Sequence, residues 1–260
     1  MRVEGLFERS VETLIESWAY LASGSPGAEV VRAEDAAIAT FVHRPDREFL
    51  NNAVLGPRPA DLGATVAMIE EIYARHEIER FAVWVHESEA EVATELRARG
   101  FAFDSATRTM AMPVDQLREV DGSALEVIEP GPAEFWAVDG PAGLVPDLDP
   151  SGAHFYVARL GGENVSTLMA FDHEGDCGIY MVGTVEAARR RGIATALSAH
   201  AVTAARERGC LTASLQSTAM AERIYAEVGF RDLGLWQEYV RAGDEAGGHG
   251  RLNPSPPAPV

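Results

Sequence analysis

A chain of 260 residues, 47% of them hydrophobic, is long enough for one large core or two ordinary ones. A formal net charge of −18 and a pI near 4.7 argue against nucleic acid and against an anionic membrane surface as partners. All 22 basic residues are Arg, which excludes chemistry that needs a lysine, such as a pyridoxal Schiff base or a Walker phosphate loop.

In chain order, residues 5–22 read as an amphipathic helix. Phe7, Val11, Leu14, Ile15, Trp18 and Leu21 fall on one face, and Gly24 with Pro26 ends it. Strands follow at 28–33 and 36–43, then an apolar run from Phe49 to Leu55. A helix over 61–76, a strand at 81–85, a helix over 89–99 and strands at 101–104 and 108–113 complete a first half. The spacing predicts domains at 1–115 and 124–241, with 116–123 as a polar linker. The second half reads as a strand at 124–128, a helix near 131–138 and a Pro/Gly/Asp-rich loop at 139–152. Strands at 154–160, 165–172 and 177–185, a helix over 192–208, a strand at 211–215, a helix over 219–228 and a strand at 235–241 follow. Residues 242–260, rich in Gly and Pro, read as a disordered tail.

Several features point away from other chemistry. Cys177 and Cys210 lack metal spacing and read as structural thiols. His43, His76, His86, His154, His173, His200 and His249 form no ligand pattern, so no metal is expected. Trp18, Trp84, Trp136 and Trp236 read as packing residues. No stretch has the length of a membrane span, and Glu4 and Glu8 stand where a signal peptide would be basic. A cytoplasmic protein is expected.

The junction at 180–197 carries the chemistry. Tyr180 to Val185 is strand-like, Arg189, Arg190 and Arg191 follow, and a helix starts after Gly192. A helix N-terminus presents free N–H groups and partial positive charge, and a glycine there admits an anion closely. Three guanidinium groups beside it make a phosphate-binding design, set against the plainer reading of a solvated helix start. The two halves repeat this frame. Gly63 to Gly100 and Gly192 to Gly229 are equal intervals, each reading helix, strand, helix and then Gly-Phe. The first half has Ala60, Asp61 and Leu62 where the second has three arginines, and Leu96 where the second has Tyr225. If anion binding and proton transfer occur, they belong to the second half.

The segment Arg189-x-x-Gly192-x-Ala194 resembles the (Q/R)-x-x-G-x-(G/A) signature of the GNAT superfamily of acyl-CoA-dependent N-acetyltransferases. Ala221 to Phe230, with Tyr225 and Gly229, is similar to the family's A-x-x-x-Y-x-x-x-G-F segment. The resemblance implies an α/β (α+β) fold of two tandem GNAT-like domains, each a mixed, mostly antiparallel sheet flanked by helices, the first degenerate. It implies acetyl-CoA as co-substrate and direct acetyl transfer to a primary amine of a small molecule or peptide. A non-catalytic acyl-CoA-binding or regulatory protein is the alternative, and self-association into a homodimer is left open.

Residue by residue, the resemblance assigns Val182, Gly183 and Thr184 to the strand that pairs with the pantetheine arm. The loop of Arg189, Arg190, Arg191, Gly192, Ile193, Ala194 and Thr195 would hold the pyrophosphate. The Val182 N–H is the expected oxyanion donor and Tyr225 the proton donor to the leaving thiolate. Thr218 stands where an Asn often contacts CoA. The usual positions of a carboxylate base carry Gly178 and Ala213 instead. His173, Glu174 and Asp176 read as a polar turn, and Asp147 and Asp149 as solvated loop acids.

Overall fold

The computed structural model describes residues 5–46, 50–122, 125–139 and 148–241. The expected tail at 242–260 and Asp147 lie outside the described residues. The first half runs α1 (Leu6–Ser23), β1 (Glu29–Arg32), β2 (Ala36–Thr40), β3 (Asn52–Leu55), α2 (Leu62–Arg75), β4 (Ala82–His86), α3 (Ala90–Ala98) and β5 (Phe101–Pro113). A 3-10 turn at Val114–Gln116 leads to the second half. There follow β6 (Glu126–Ile128), α4 (Pro132–Asp139), β7 (His154–Leu160), β8 (Glu163–His173), β9 (Asp176–Thr184), α5 (Ile193–Arg208), β10 (Thr212–Ser217), α6 (Glu222–Val228) and β11 (Arg231–Arg241).

Among the described residues, all strands join one 11-stranded mixed sheet in the order β1-β2-β3-β4-β11-β5-β10-β9-β8-β7-β6. The final strands of the halves are exchanged. β11 lies against β4 of the first half, and β5 lies against β10 of the second. Outward from the central β11–β5 pair, the order β11-β4-β3-β2-β1 on one side mirrors β5-β10-β9-β8-β7 on the other. β3–β4 and β9–β10 are parallel, in matching places.

The exchange is anchored by packing. Met110 and Met112 of β5 are buried in the second half's core with Leu197, Leu215 and Tyr225. Tyr239 of β11 is fully buried in the first half's core with Ile69 and Leu96. Burying side chains of this size contributes about 1.5–3 kcal/mol each. Helices α2, α3, α5 and α6 lie over these two cores, while α1 and α4 cover the opposite face around Trp18, Trp84, Phe155 and Trp236. Period-2 alternation divides the strands between faces: Ala82 and Trp84 go one way, Val83 and Val85 the other.

β11 begins at Arg231 and α6 at Glu222, where the sequence pattern predicts 235 and 219, and β5 differs in kind. Residues 101–113 form one strand, not two, although Asp104 and Ser105 interrupt the apolar pattern. β5 is paired on both sides, and Ser105 Oγ donates to Glu238 Oε2 at 3.0 Å, so its polar stretch is satisfied across the ladder. An irregularity at Glu238/Tyr239 absorbs the mismatch.

Candidate functional site

β9 and β10 pair only through Asp176/Thr212, Cys177/Ala213 and Gly178/Ser214. Beyond Gly178 the strands part, and β9 keeps β8 as its partner while its other edge opens. A bulge lies on this open stretch. Between the pairs Thr167/Gly183 and Met169/Tyr180, the single residue Leu168 faces both Met181 and Val182. Met181 takes φ 51, a left-handed conformation rare for a residue with a side chain. The bulge turns Tyr180 and Met181 toward the α1 face and sets Val182 against the α5 core, where Tyr225 is buried. Thus the structure brings Val182 and Tyr225 to one core cluster.

The loop from β9 to α5 is held by its own polar groups. Ser166 Oγ donates to Gly183 O at 2.5 Å and lies 2.9 Å from Thr184 Oγ1. Arg189 Nε donates to Thr184 O at 2.9 Å, so this arginine braces the loop. Arg190 and Arg191 are exposed. Gly192 is the N-cap of α5 at φ 75, with no side-chain cap, and a Cβ added there would meet nothing within 4 Å. The first N–H groups of α5, on Ile193, Ala194 and Thr195, have no intrahelical acceptor. This is an approachable cradle with local positive charge. Thr218 is exposed beyond β10.

The equivalent terminus in the first half is already capped and filled. Asp61 caps α2 and its Oδ1 accepts from Ala64 N at 3.0 Å. Asp35 Oδ2 accepts from Ala60 N at 3.1 Å. The Arg99 guanidinium packs within 2.7 Å of where a Gly63 Cβ would stand. Two carboxylates and a filled approach replace the cradle.

Tyr225 sits on α6, which β5 and the connector after it clamp at both ends. Arg108 of β5 places its Nε 2.9 Å from Glu222 Oε1 in the first turn of α6 and also bonds Asp232. At the C-terminal end, Arg118 donates through its N–H to Val228 O at 3.0 Å and through Nη1 to Ala226 O at 2.9 Å. The Tyr225 ring meets Phe230 edge-on at 6.0 Å, and its hydroxyl has no hydrogen-bond partner among the described residues. Burial pushes its phenol well above the ordinary tyrosine range, so the proton is held throughout neutral pH.

Asp176 corrects the reading of a polar turn. Glu174 and Gly175 make the turn, but Asp176 opens β9 and is 1% exposed. Its two carboxylate oxygens accept from Thr212 Oγ1 and Ser214 Oγ, both at 2.6 Å. Those partners lie on the neighbouring parallel strand, out of reach of any local pattern. At Gly178 an added Cβ would meet the Tyr180 hydroxyl and ring at 2.4–2.5 Å. Tyr180 therefore fills the space into which a side chain at 178 would project. Asp149 accepts from Ser151 N and Oγ within its own turn, which holds its carboxyl below the usual range. A cavity of about 350 Å³ opens behind α5, between Leu117, Val120, Ala196 and His200, and includes none of the motif residues.

Residues 118–230 match the acetyltransferase (GNAT) family model. Among solved structures, a GCN5-related N-acetyltransferase from Kribbella flavida superposes with TM-score 0.68 at 19% identity, covering 90% of this chain and 95% of that one. One from Sphaerobacter thermophilus gives 0.61 at 18% identity, covering 89% and 85%. A tandem GNAT protein from the clavulanic acid biosynthesis pathway gives 0.58 at 14% identity, covering 91% and 96%. At these identities the likeness is one of fold. No curated protein sequence matches the chain.

Proposed function

We propose that this chain, whose residues 118–230 match the acetyltransferase (GNAT) family model, moves an acetyl group from acetyl-CoA to a primary amine, using its second half alone. The observation that carries this reading is the junction of β9 and α5. An uncapped helix N-terminus, a glycine N-cap and two exposed arginines stand beside an open, bulged strand edge.

These residues fit acyl-CoA. Arg190, Arg191 and the N–H groups of Ile193, Ala194 and Thr195 would hold the pyrophosphate, with Arg189 keeping the loop in shape. The open edge of β9 at Val182, Gly183 and Thr184 would take the pantetheine arm as an added strand. Thr218 would border the same arm. Acetyl-CoA supplies the activated acyl group and a thiolate leaving group. The Val182 N–H, in the bulge, is the donor placed to stabilise charge on the carbonyl oxygen. Tyr225 keeps its proton until sulfur departs, then gives it to the thiolate and regains one from solvent, which takes up the proton the amine loses.

The test is acetylation of an amine panel followed by free-thiol release, alongside thermal stabilisation by acetyl-CoA. Arg190→Glu should abolish the stabilisation. If it does not, the cradle is wrongly placed. If stabilisation holds but no amine is acetylated, the protein is an acyl-CoA-binding protein without transfer activity.

A further inference from the structure

Two hydroxyls of β8 hold the bulged stretch of β9. Thr167, which is 3% exposed, donates through Oγ1 to Met181 O at 3.3 Å. Its neighbour Ser166 is fully buried and donates to Gly183 O at 2.5 Å. The described residues contain no cis peptide bond, and in a trans peptide the C=O and N–H of one plane point in opposite directions. Met181 O and the Val182 N–H share one plane, and Gly183 O and the Thr184 N–H share another. Carbonyls that accept from β8 therefore aim the Val182 and Thr184 N–H groups away from it, at the edge where β10 has parted. The next residue fits this alternation: Val185 N turns back to Val165 O at 3.0 Å. Exposure changes at the same place. Cys177 to Ile179 are buried beside β10, whereas Tyr180 to Val185 are half-buried. Met181 at φ 51 is strained, and such a backbone persists only where its surroundings fix it. A hydrogen bond to a peptide carbonyl also polarises the N–H of the same plane and strengthens it as a donor. In the first half, β2 and β3 pair without a register shift, so no bulge turns a peptide there.

We propose that Thr167 is a positioning residue for acetyl transfer: its hydroxyl fixes the Met181–Val182 peptide so that the Val182 N–H meets the thioester carbonyl oxygen. Ser166 does the same for the Gly183–Thr184 peptide, whose N–H is then set for a carbonyl of the pantetheine arm. The inference rests on the acetyl-transfer reading of the junction and adds the two side chains that give its backbone donors their direction. Neither hydroxyl touches the cofactor, and each acts through one peptide plane. Their roles therefore separate by position. Thr167 serves the reacting carbonyl, where charge develops, and Ser166 serves binding of the arm. The contact of Ser166 Oγ with Thr184 Oγ1 at 2.9 Å ties the second plane more firmly.

The experiment is infrared difference spectroscopy of acetyl-CoA, isotopically labelled at the thioester carbonyl and bound to the intact protein, with CoA affinity measured by calorimetry. It needs no amine acceptor. Binding to the wild type should move the labelled carbonyl band to lower frequency than in free acetyl-CoA, because a hydrogen bond to oxygen weakens the C=O bond. Thr167→Val keeps the side-chain shape and deletes the donor. It should lose most of that shift while leaving CoA affinity unchanged, and Thr167→Ser, which keeps the hydroxyl, should retain the shift. Ser166→Ala should do the reverse, keeping the shift and weakening CoA about five-fold, the worth of one hydrogen bond. An equal shift in wild type and Thr167→Val would overturn the inference. So would a Thr167→Val protein that loses CoA affinity together with the shift, since that marks a role in the fold alone. Wild type that binds acetyl-CoA with no carbonyl shift would overturn the Val182 donor and the inference with it. Wild type that binds neither CoA nor acetyl-CoA would overturn the acetyl-transfer reading itself.

Discussion

Asp61 and Arg190 occupy equivalent places in the two halves, and on the proposed reading the difference between them decides which half holds the pyrophosphate. Asp61 uses its carboxylate to cap α2, whereas α5 starts at an uncapped Gly192. This contrast was legible in the sequence because helix starts are local and their residues adjacent. Tyr225 was legible for the same reason. Replacing it by Phe should lower kcat about 100-fold, the usual range for a positioned proton donor, with Tm unchanged because the hydroxyl makes no internal bond. Stopped thiol-release kinetics and a melting curve check both halves of that statement. Asp176 was not legible, since its two hydroxyl partners sit across a strand pair. Another residue-scale pair contributes to stability in acid. Burial pushes the Asp172 carboxyl up, but Arg208, bonded at 2.6 and 2.8 Å, outweighs it and holds the group below its ordinary value. A lowered folded pKa means stability that is present above about pH 4 and lost as pH falls through the folded value. Melting curves of wild type and Asp172→Asn should therefore differ at pH 7 and converge on acidification.

At the scale of elements, α6 depends on parts far from it in sequence. β5 and the connector hold its two ends through Arg108 and Arg118, and Met112 packs beneath it. Gly229 closes it at φ 124, where an added Cβ would approach Gln116 O at 3.0 Å. Met112→Ala should cost about 2–5 kcal/mol, as for other buried methionines. Arg108→Ala should cost less stability but lower kcat, because it frees the first turn of α6 and with it Tyr225. Urea unfolding and steady-state kinetics on the two variants separate these effects. Equal loss of kcat per unit of stability would show that the clamp has no specific role. The elements themselves were readable from apolar period. The unbroken β5 was not, because its polar middle is satisfied by Glu238 from the far end of the chain.

At the scale of the molecule, the exchanged strands make one sheet of two repeats. Equivalent strands carry similar patterns, so local sequence does not reveal which half's last strand fills which slot. The pairing β4-β11-β5-β10 removes the ends each half would otherwise expose. A fragment ending before β6 would leave β4 without β11 on its outer side, and a fragment starting at β6 would leave β10 without β5. Each half expressed alone should aggregate or stay unfolded, while coexpressed halves should form a one-to-one complex with the circular dichroism of the whole chain. A monomeric, cooperatively melting second half would contradict this.

The central claim is that one half of a near-symmetric sheet binds acetyl-CoA and the other has lost the means. Titration calorimetry of acetyl-CoA onto the intact chain tests it directly. The account predicts one site per chain, removed by Arg190→Glu and Arg191→Glu together and untouched by Asp61→Ala. Two sites, or a single site that survives the arginine changes, would contradict it.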